Sequence, residues 1–139
     1  MIVVLDTNVV ASATYWRGKP AHCLEAWTIG RYDLAISHPI LTEYEEVVAR
    51  LAAHYPNKPT TDWLGAIKQA GRLYLPVSRP ASTADPDDEM FIECAAEAHA
   101  DYLVTGDKGH LLALKQAAGI PIVAVSDFLC LIGVPENPS

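Results

Sequence analysis

The sequence predicts an α/β fold, a three-layer α/β/α sandwich with a central parallel sheet of four to five strands. Four short runs of residues are almost uniformly apolar, which is typical of strands covered on both faces. Segments with apolar residues at three- and four-residue spacing separate these runs and indicate helices. The chain has 139 residues, 50% of them hydrophobic, which is enough for one core. Strands that alternate with helices predict parallel pairing through right-handed crossovers.

The predicted strands are short and mostly buried. The four clearest are Ile2–Leu5, Leu34–Ile36, Tyr102–Val104 and Ile122–Val125. A fifth candidate, Leu73–Val77, is weaker because Pro76 has no N–H to donate to a sheet. The expected number of strands, four or five, depends on this last segment.

Helical patterns lie between the strands. The clearest begins after Ser37 and Pro39, with apolar positions at Ile40, Tyr44, Val47, Val48, Leu51, Ala52 and Tyr55. Another follows Pro86, with apolar positions at Phe91, Ile92, Ala95 and Ala96. A further helix is predicted from Leu111, Leu112, Lys115 and Ala118, and it ends at Gly119. Residues 20–30 and 60–72 are also expected to be helical.

Composition limits the class of function. We expect one domain over residues 1–139, with a frayed tail at residues 135–139. The chain has 10 Lys and Arg against 17 Asp and Glu, a net charge of −7. Such a chain does not hold nucleic acid by bulk attraction, which needs a basic face. Any contact with nucleic acid is therefore expected to be transient or assisted by metal ions.

The cysteines and the start of the chain indicate a cytoplasmic protein. The three cysteines have no CxxC spacing, which excludes a disulfide framework or a zinc site and favours a reducing compartment. Cys94 and Cys130 have apolar neighbours, so we expect both in the core. Asp6 interrupts the apolar start of the chain, and no apolar stretch has membrane-spanning length, so we expect neither a signal peptide nor a membrane span.

Acidic residues follow most of the predicted strands. Asp6 follows the first strand directly, and Asp107 follows the strand that ends at Val104. Glu43 lies in the early turns of the helix after the second strand, and the weak fifth strand leads to the acidic run at residues 85–88. Because the carboxyl ends of parallel strands meet at one edge, where ligands bind, the sequence predicts an acidic pocket there.

Each of these acids also has an ordinary structural role. Asp6, considered alone, is more readily interpreted as the N-cap of the following helix. Asp107 fits a tight turn or a cap, and Asp85 before Pro86 fits an N-cap with proline at the first helical position. Asp127 lies at an ordinary helix start, and we assign it that role.

Helical spacing selects one acid from residues 85–88. One stripe of the predicted helix contains Asp88, Phe91, Ile92, Ala95, Ala96 and His99. A charge on a buried face is costly without a partner, whereas Asp87 and Glu89 point elsewhere and stay solvated. We therefore favour Asp88 as the functional acid.

The same argument applies to the three glutamates after the second strand. Glu43 lies one turn from apolar positions on either side, beside the apolar stripe of its helix. Glu46 lies nearly on the opposite side of the helix from this stripe, and Glu45 fits a capping box with Thr42. The pattern favours Glu43 without deciding the matter.

Several converging carboxylates require cations or protons. Two carboxylates ~5 Å apart repel each other by about 3 kcal/mol at an effective dielectric constant of 20. Oxygen ligands without nearby Cys or His favour a hard ion, Mg²⁺ or Mn²⁺. One or two such ions would offset the charge, activate a water and bind a phosphate.

Four motifs, in chain order, resemble those of the PIN-domain ribonucleases. They are Ile2–Val10 with its Asp-Thr-Asn sequence, Ser37–Val47, Asp85–Asp88 with the following helix, and Ala100–Asp107 with its Thr-Gly-Asp turn. The likeness extends from Ile2 to about Leu129. It is strongest to the branch of toxins from bacterial and archaeal toxin–antitoxin pairs.

The resemblance implies a PIN-like, Rossmann-like nuclease domain that hydrolyses RNA phosphodiester bonds with one or two Mg²⁺ or Mn²⁺ ions. The metal-binding acids that it implies are Asp6, Glu43, Asp88 and Asp107. It also implies that Asn8 and Thr105 orient these acids or the attacking water. Asp85 or Asp87 replaces Asp88 if the alignment shifts. The family further implies a cognate antitoxin and homodimers.

Several basic and aromatic residues are candidates for RNA contacts. Arg17 and Lys19 follow the first motif, Lys108 adjoins Asp107, and Arg50 and Lys58 flank the middle helices. Each alone is more readily interpreted as solvated surface charge. Tyr15 and Trp16 either stack on bases or cover the sheet as an apolar cap.

Two alternatives remain for the whole chain. A phosphoacceptor receiver domain also has an acidic pocket on a parallel sheet, but it needs an acid pair after the first strand and a lysine after the last. A catalytically silent PIN fold that only binds a partner is the other alternative. The presence of all four acids in the sequence favours the enzyme.

Overall fold

The computed structural model describes residues 1–77, 86–106 and 110–134, which form a six-stranded sheet flanked by helices. The strands are β1 (Ile2–Leu5), β2 (Asp33–Ile36), β3 (Arg72–Leu73), β4 (Tyr102–Thr105), β5 (Gln116–Ala117) and β6 (Ile120–Ala124). The helices are α1 (Thr7–Tyr15), α2 (Lys19–Thr28), α3 (His38–His54), α4 (Trp63–Ala70), α5 (Glu89–Ala98), α6 (His110–Ala113) and α7 (Val125–Leu131), with a 3₁₀ turn at Pro86–Asp88 before α5. The α/β prediction is confirmed.

The strand order is β3-β2-β1-β4-β6-β5, and every neighbouring pair is parallel except β5 with β6. The sheet therefore has two more strands than the four clear candidates, and its last strand is antiparallel. The order changes direction after β3, so right-handed crossovers place α1–α4 on one face and α5 on the other. Leu5 pairs with Val104, so β1 and β4 end side by side at the same edge.

The core surrounds the central strand β1. Val3, Val4 and Leu5 are fully buried, which explains why this strand is apolar throughout and does not alternate. On the other face, α5 buries Phe91, Ile92, Cys94, Ala95 and Ala98. The predicted stripe was wrong at His99, which is exposed and ends the helix with a left-handed φ of 51°.

Helix α3 begins earlier than a capping box at Thr42 requires. Ser37 is its N-cap, and the Ser37 hydroxyl accepts a hydrogen bond from the Ile40 N–H at 3.4 Å. The Thr42–Glu45 capping box was therefore wrong, because Thr42 lies inside the helix. Glu45 instead lies 3.3 Å from the Lys68 Nζ atom, an ion pair between α3 and α4.

A short hairpin replaces the second half of the helix predicted from Leu111 to Ala118. Helix α6 ends at Ala113, and β5 and β6 form an antiparallel pair. Ala118 and Gly119, at the turn, have φ values of 52° and 80°. Two successive residues with positive φ are typical of a two-residue hairpin turn and cannot continue a helix.

Three other predicted positions need correction. Strand β3 covers only Arg72–Leu73, although the Tyr74 N–H still donates to the Ile36 carbonyl at 2.8 Å. Strand β6 ends one residue early, because Val125 begins α7. Cys130 is exposed on α7 and not in the core, whereas the other two cysteines are buried.

Some predicted features lie outside the described residues. They are Asp85, Asp107, Lys108 and the tail at residues 135–139. In the described ranges, no helix has both the length and the apolar character needed to cross a membrane.

Candidate active site

Asp6 lies where β1 passes into α1, and two different groups hold its carboxylate. One oxygen, Oδ1, accepts a hydrogen bond from the Thr7 N–H at 2.7 Å, so Asp6 is the N-cap of α1. The other, Oδ2, accepts a hydrogen bond from the Thr105 hydroxyl at 2.7 Å. Thr105 is the fully buried last residue of β4. The predicted capping role is confirmed, and the neighbouring strand fixes the second oxygen.

Asn8 joins the first turn of α1 to the segment that leaves β4. Its Oδ1 atom accepts a hydrogen bond from the Gly106 N–H at 3.1 Å. The next residue in the chain is Asp107, which lies outside the described residues. Asn8 therefore positions the backbone immediately before this predicted acid.

Tyr44 anchors α3 to the end of β1, a role that the sequence reasoning missed. Its hydroxyl donates a hydrogen bond to the Leu5 carbonyl. Burial raises the pKa of Tyr44 well above its ordinary value, and the nearby Asp6 carboxylate raises it further. The hydroxyl therefore remains a donor at neutral pH. Tyr44 fitted the apolar stripe of α3, and its position next to Glu43 was the only signal of a second role.

An acidic pocket of about 300 Å³ opens at this edge of the sheet. Four carboxylates line it, together with Thr7 and Asn8: Asp6, Glu43, Asp87 and Asp88. The structure thus brings three of the four predicted acids around one pocket. Asp88 is half-buried and Asp87 is exposed, but both line the pocket, so the choice between them stays a prediction.

The lining of the acidic pocket has the right chemistry for a hard cation. Its described polar side chains offer oxygen ligands and no Cys or His, as Mg²⁺ and Mn²⁺ prefer. The buried Thr7 hydroxyl has no hydrogen-bond partner among the residues in the structure. Outside residues 78–85, 107–109 and 135–139, no group of three or more Asp, Glu, His or Cys side chains is close enough to hold an ion. The ligand types fit, while the described acids are spread around the pocket.

Comparison with known families decides how this arrangement is classified. The model of the PIN domain family matches residues 2–109, which include all four carboxylates of the acidic pocket. The chain belongs to the PIN domain family. The family predicted from the four sequence motifs is therefore confirmed, and the receiver-domain alternative is set aside. No curated protein matches the sequence.

Two solved structures are similar to this PIN domain at low sequence identity. One is a chain of the crystal structure of VapBC2 from Rickettsia felis bound to a DNA fragment from their promoter. It is 16% identical, the match covers 89% of this chain and 98% of that one, and the TM-score is 0.61. Another is the T. brucei RRP44 PIN domain, at 11% identity, 93% and 79% coverage and a TM-score of 0.44. The first of these likenesses shows that the two chains have a common fold.

Proposed function

We propose that this PIN domain is a metal-dependent endoribonuclease and the toxin of a toxin–antitoxin pair. The acidic pocket carries the proposal, because well-separated chain segments bring carboxylates to one sheet edge. Membership of a family whose members are generally nucleases supports the enzymatic part. The resemblance of the four motifs to toxin sequences supports the toxin part, together with a cognate antitoxin and a homodimer.

Asp6, Glu43, Asp88 and Asp107 are the residues proposed to hold Mg²⁺ or Mn²⁺. A divalent ion bound there supplies charge neutralisation, polarisation of a phosphate and a more acidic water. The chain itself supplies orientation. Thr105 and the Thr7 N–H hold both oxygens of Asp6, and these two hydrogen bonds fix the orientation of the carboxylate.

Two further residues position the surrounding segments. Asn8 holds the backbone before Asp107 through the Gly106 N–H, and Tyr44 holds the start of α3, and with it Glu43, against β1. The acidic lining repels an RNA phosphate in the absence of a cation. We therefore expect binding of the scissile phosphate to depend on metal, and the substrate to be single-stranded or looped RNA.

The experiment compares RNA cleavage by the purified protein with Mn²⁺ and with EDTA. Cleavage is expected only with Mn²⁺. Glu43→Gln should abolish it, because it removes a charge from the acidic pocket and keeps the shape of the side chain. Glu46→Gln is the matched control, since Glu46 is exposed on the same helix and is not among the pocket residues.

Each alternative gives a different result. Equal cleavage in EDTA contradicts the metal dependence, and full cleavage by Glu43→Gln shows a wrong site or a contaminating nuclease. A folded, soluble protein that never cleaves RNA with Mn²⁺ favours the silent binding module. For the toxin role, induced expression should slow bacterial growth, and co-expression of the cognate partner should restore it; normal growth with abundant soluble protein argues against that role.

A further inference from the structure

A second cavity, of about 330 Å³, lies at the C-terminal end of α1, the end remote from Asp6. The last turn of α1 with the two residues that follow it forms one wall, and residues 58–61, between α3 and α4, form the other. The Thr61 N–H donates to the Thr14 carbonyl at 3.1 Å, which fixes the two walls to each other. The cavity is therefore a defined part of the fold.

An exposed aromatic pair borders this cavity. The ring centroids of Trp16 and Tyr55 are 5.7 Å apart, with an interplanar angle of 84°. Trp16 is 42% exposed and Tyr55 is 39% exposed, and neither belongs to the hydrophobic core. The ring centroid of Tyr15 lies 6.0 Å from that of Trp16, and the Tyr15 hydroxyl donates to the Val48 carbonyl at 3.1 Å. The pair thus presents aromatic surface to solvent on an anchored base.

Two cations accompany the aromatic pair. The Lys58 Nζ atom lies 5.6 Å from the centroid of the Trp16 ring, and Arg17 follows Trp16 in the cavity lining. In the described ranges, neither Arg17 nor Lys58 forms a salt bridge. The chain as a whole has a net charge of −7, so two cations without carboxylate partners beside exposed aromatic rings favour an anionic, ring-containing ligand.

Helices α1 and α3 lead from the acidic pocket to this cavity. Both begin at the carboxyl edge of the sheet, where Asp6 caps α1 and Glu43 lines the acidic pocket. They remain in contact as far as Tyr15 and Val48, and α3 ends immediately before Tyr55. The nine residues of α1 span about 13 Å. An extended RNA strand of a few nucleotides bridges such a distance.

We propose that Trp16, Tyr55, Arg17 and Lys58, which we call the aromatic–basic cluster, bind a base and a phosphate of single-stranded RNA. This inference rests on the proposed ribonuclease function and places part of the substrate several nucleotides from the scissile bond. The base stacks on the exposed face of Trp16, which tolerates any sequence. Arg17 and Lys58 contact the phosphate and offset the repulsion from the acidic surface.

The first test measures binding of a labelled single-stranded RNA of twelve nucleotides by fluorescence anisotropy in EDTA, where metal-dependent cleavage does not interfere. Trp16→Ala is expected to weaken binding roughly tenfold, and Trp16→Phe to retain most of it. A fully paired duplex of the same sequence should respond little to Trp16→Ala, because its bases are already stacked. Thermal melting checks that each variant is folded.

The second test measures how binding depends on salt. The double substitution Arg17→Gln, Lys58→Gln should reduce the slope of log K against log salt by about 1.4, the value for two contacts to single-stranded phosphates. Each single substitution, Arg17→Gln or Lys58→Gln, should account for about half of this reduction. Lys115→Gln is the charge-matched control for the single substitutions, since Lys115 is exposed and lies near β5 at the far edge of the sheet. Its slope should match that of the parent.

The proposal is overturned if Trp16→Ala binds RNA with an affinity within about twofold of the parent, or if the parent binds no RNA. It is also overturned if Lys115→Gln changes the salt slope as much as Arg17→Gln or Lys58→Gln does. A Trp16→Ala variant that dissociates a parent dimer and binds RNA normally also overturns it and assigns the surface to a second copy. If Trp16→Ala cleaves RNA as well as the parent does, the aromatic–basic cluster is refuted and the proposed nuclease function still holds. If RNA binding is lost in Trp16→Ala but the parent never cleaves RNA, the aromatic–basic cluster is supported and the proposed nuclease function is refuted.

Discussion

Thr105→Val tests whether the hydrogen bond between β4 and Asp6 organises the acidic pocket. Valine keeps the branched shape of threonine and removes the hydroxyl, whose oxygen lies 2.7 Å from Asp6 Oδ2. Asp6 is 8% exposed and Thr105 is 0% exposed, so water replaces the lost donor poorly. A hydrogen bond to a charged group contributes about 1.5–3 kcal/mol. We expect unfolding free energy to fall by about 2 kcal/mol and Tm to fall by roughly 6 °C.

Thr14→Val is the matched control for this substitution. Thr14 is also buried, and its hydroxyl donates to the Val10 carbonyl at 2.8 Å, a neutral acceptor inside α1. We expect its loss to cost less than about 1 kcal/mol. Urea and thermal unfolding of both variants measure the difference, which isolates the contribution of the Asp6 carboxylate.

Two results would refute this reasoning. One is an equal loss of stability in Thr105→Val and Thr14→Val. The other is simple additivity of Thr105→Val with Asp6→Ala in a double-mutant cycle, since residues in direct contact are expected to couple. If the proposed function holds, Thr105→Val should also lower RNA cleavage by about 10- to 100-fold through misorientation of Asp6.

Three further predictions concern charges and thiols. Glu43→Gln should raise Tm in EDTA, because it relieves repulsion between carboxylates, and should reduce the rise in Tm that Mn²⁺ produces, whereas Glu46→Gln should do neither. Equal Tm values for the two variants, both in EDTA and in Mn²⁺, would contradict this. Asp88→Asn should lower cleavage far more than Asp87→Asn because Asp88 is half-buried, and the reverse order would assign the role to Asp87. Cys130 alone should react with a thiol reagent at pH 8, since burial raises the pKa of the other two cysteines to about 12; three fast-reacting thiols would contradict the burial.

The central part of the sheet was predictable from sequence, and the C-terminal hairpin was not. Strands β1, β2 and β4 lie at or near the sheet centre, and their burial on both faces leaves a continuous apolar run in the sequence. Residues 111–118 also fit helical spacing. Helix α6 nevertheless ends at Ala113, and Lys115 and Ala118 adopt positive φ values of 64° and 52°, a conformation that these residue types rarely adopt and that their identity does not signal.

The acids of the pocket were predictable for a topological reason. The residues that follow parallel strands meet at one edge of the sheet. The position of Asp6 directly after its strand was therefore sufficient to predict that it lies at this edge. Tyr44 was missed because periodicity reports which face of a helix is buried and is insensitive to what a buried hydroxyl contacts. Its bond to the Leu5 carbonyl depends on tertiary packing between α3 and β1.

The hydrogen bonds that organise the pocket join the two ends of a long stretch of chain. Thr105 is 99 residues from Asp6, and Gly106 is 98 residues from Asn8. At translation rates of about 5–20 residues per second, Asp6 emerges from the ribosome roughly 5 to 20 seconds before its partner. During that interval β1 has no β4 beside it, and the Asp6 carboxylate lacks the hydrogen bond from Thr105. If the proposed function holds, the acidic pocket is therefore incomplete while the chain is still attached to the ribosome, which is itself rich in RNA.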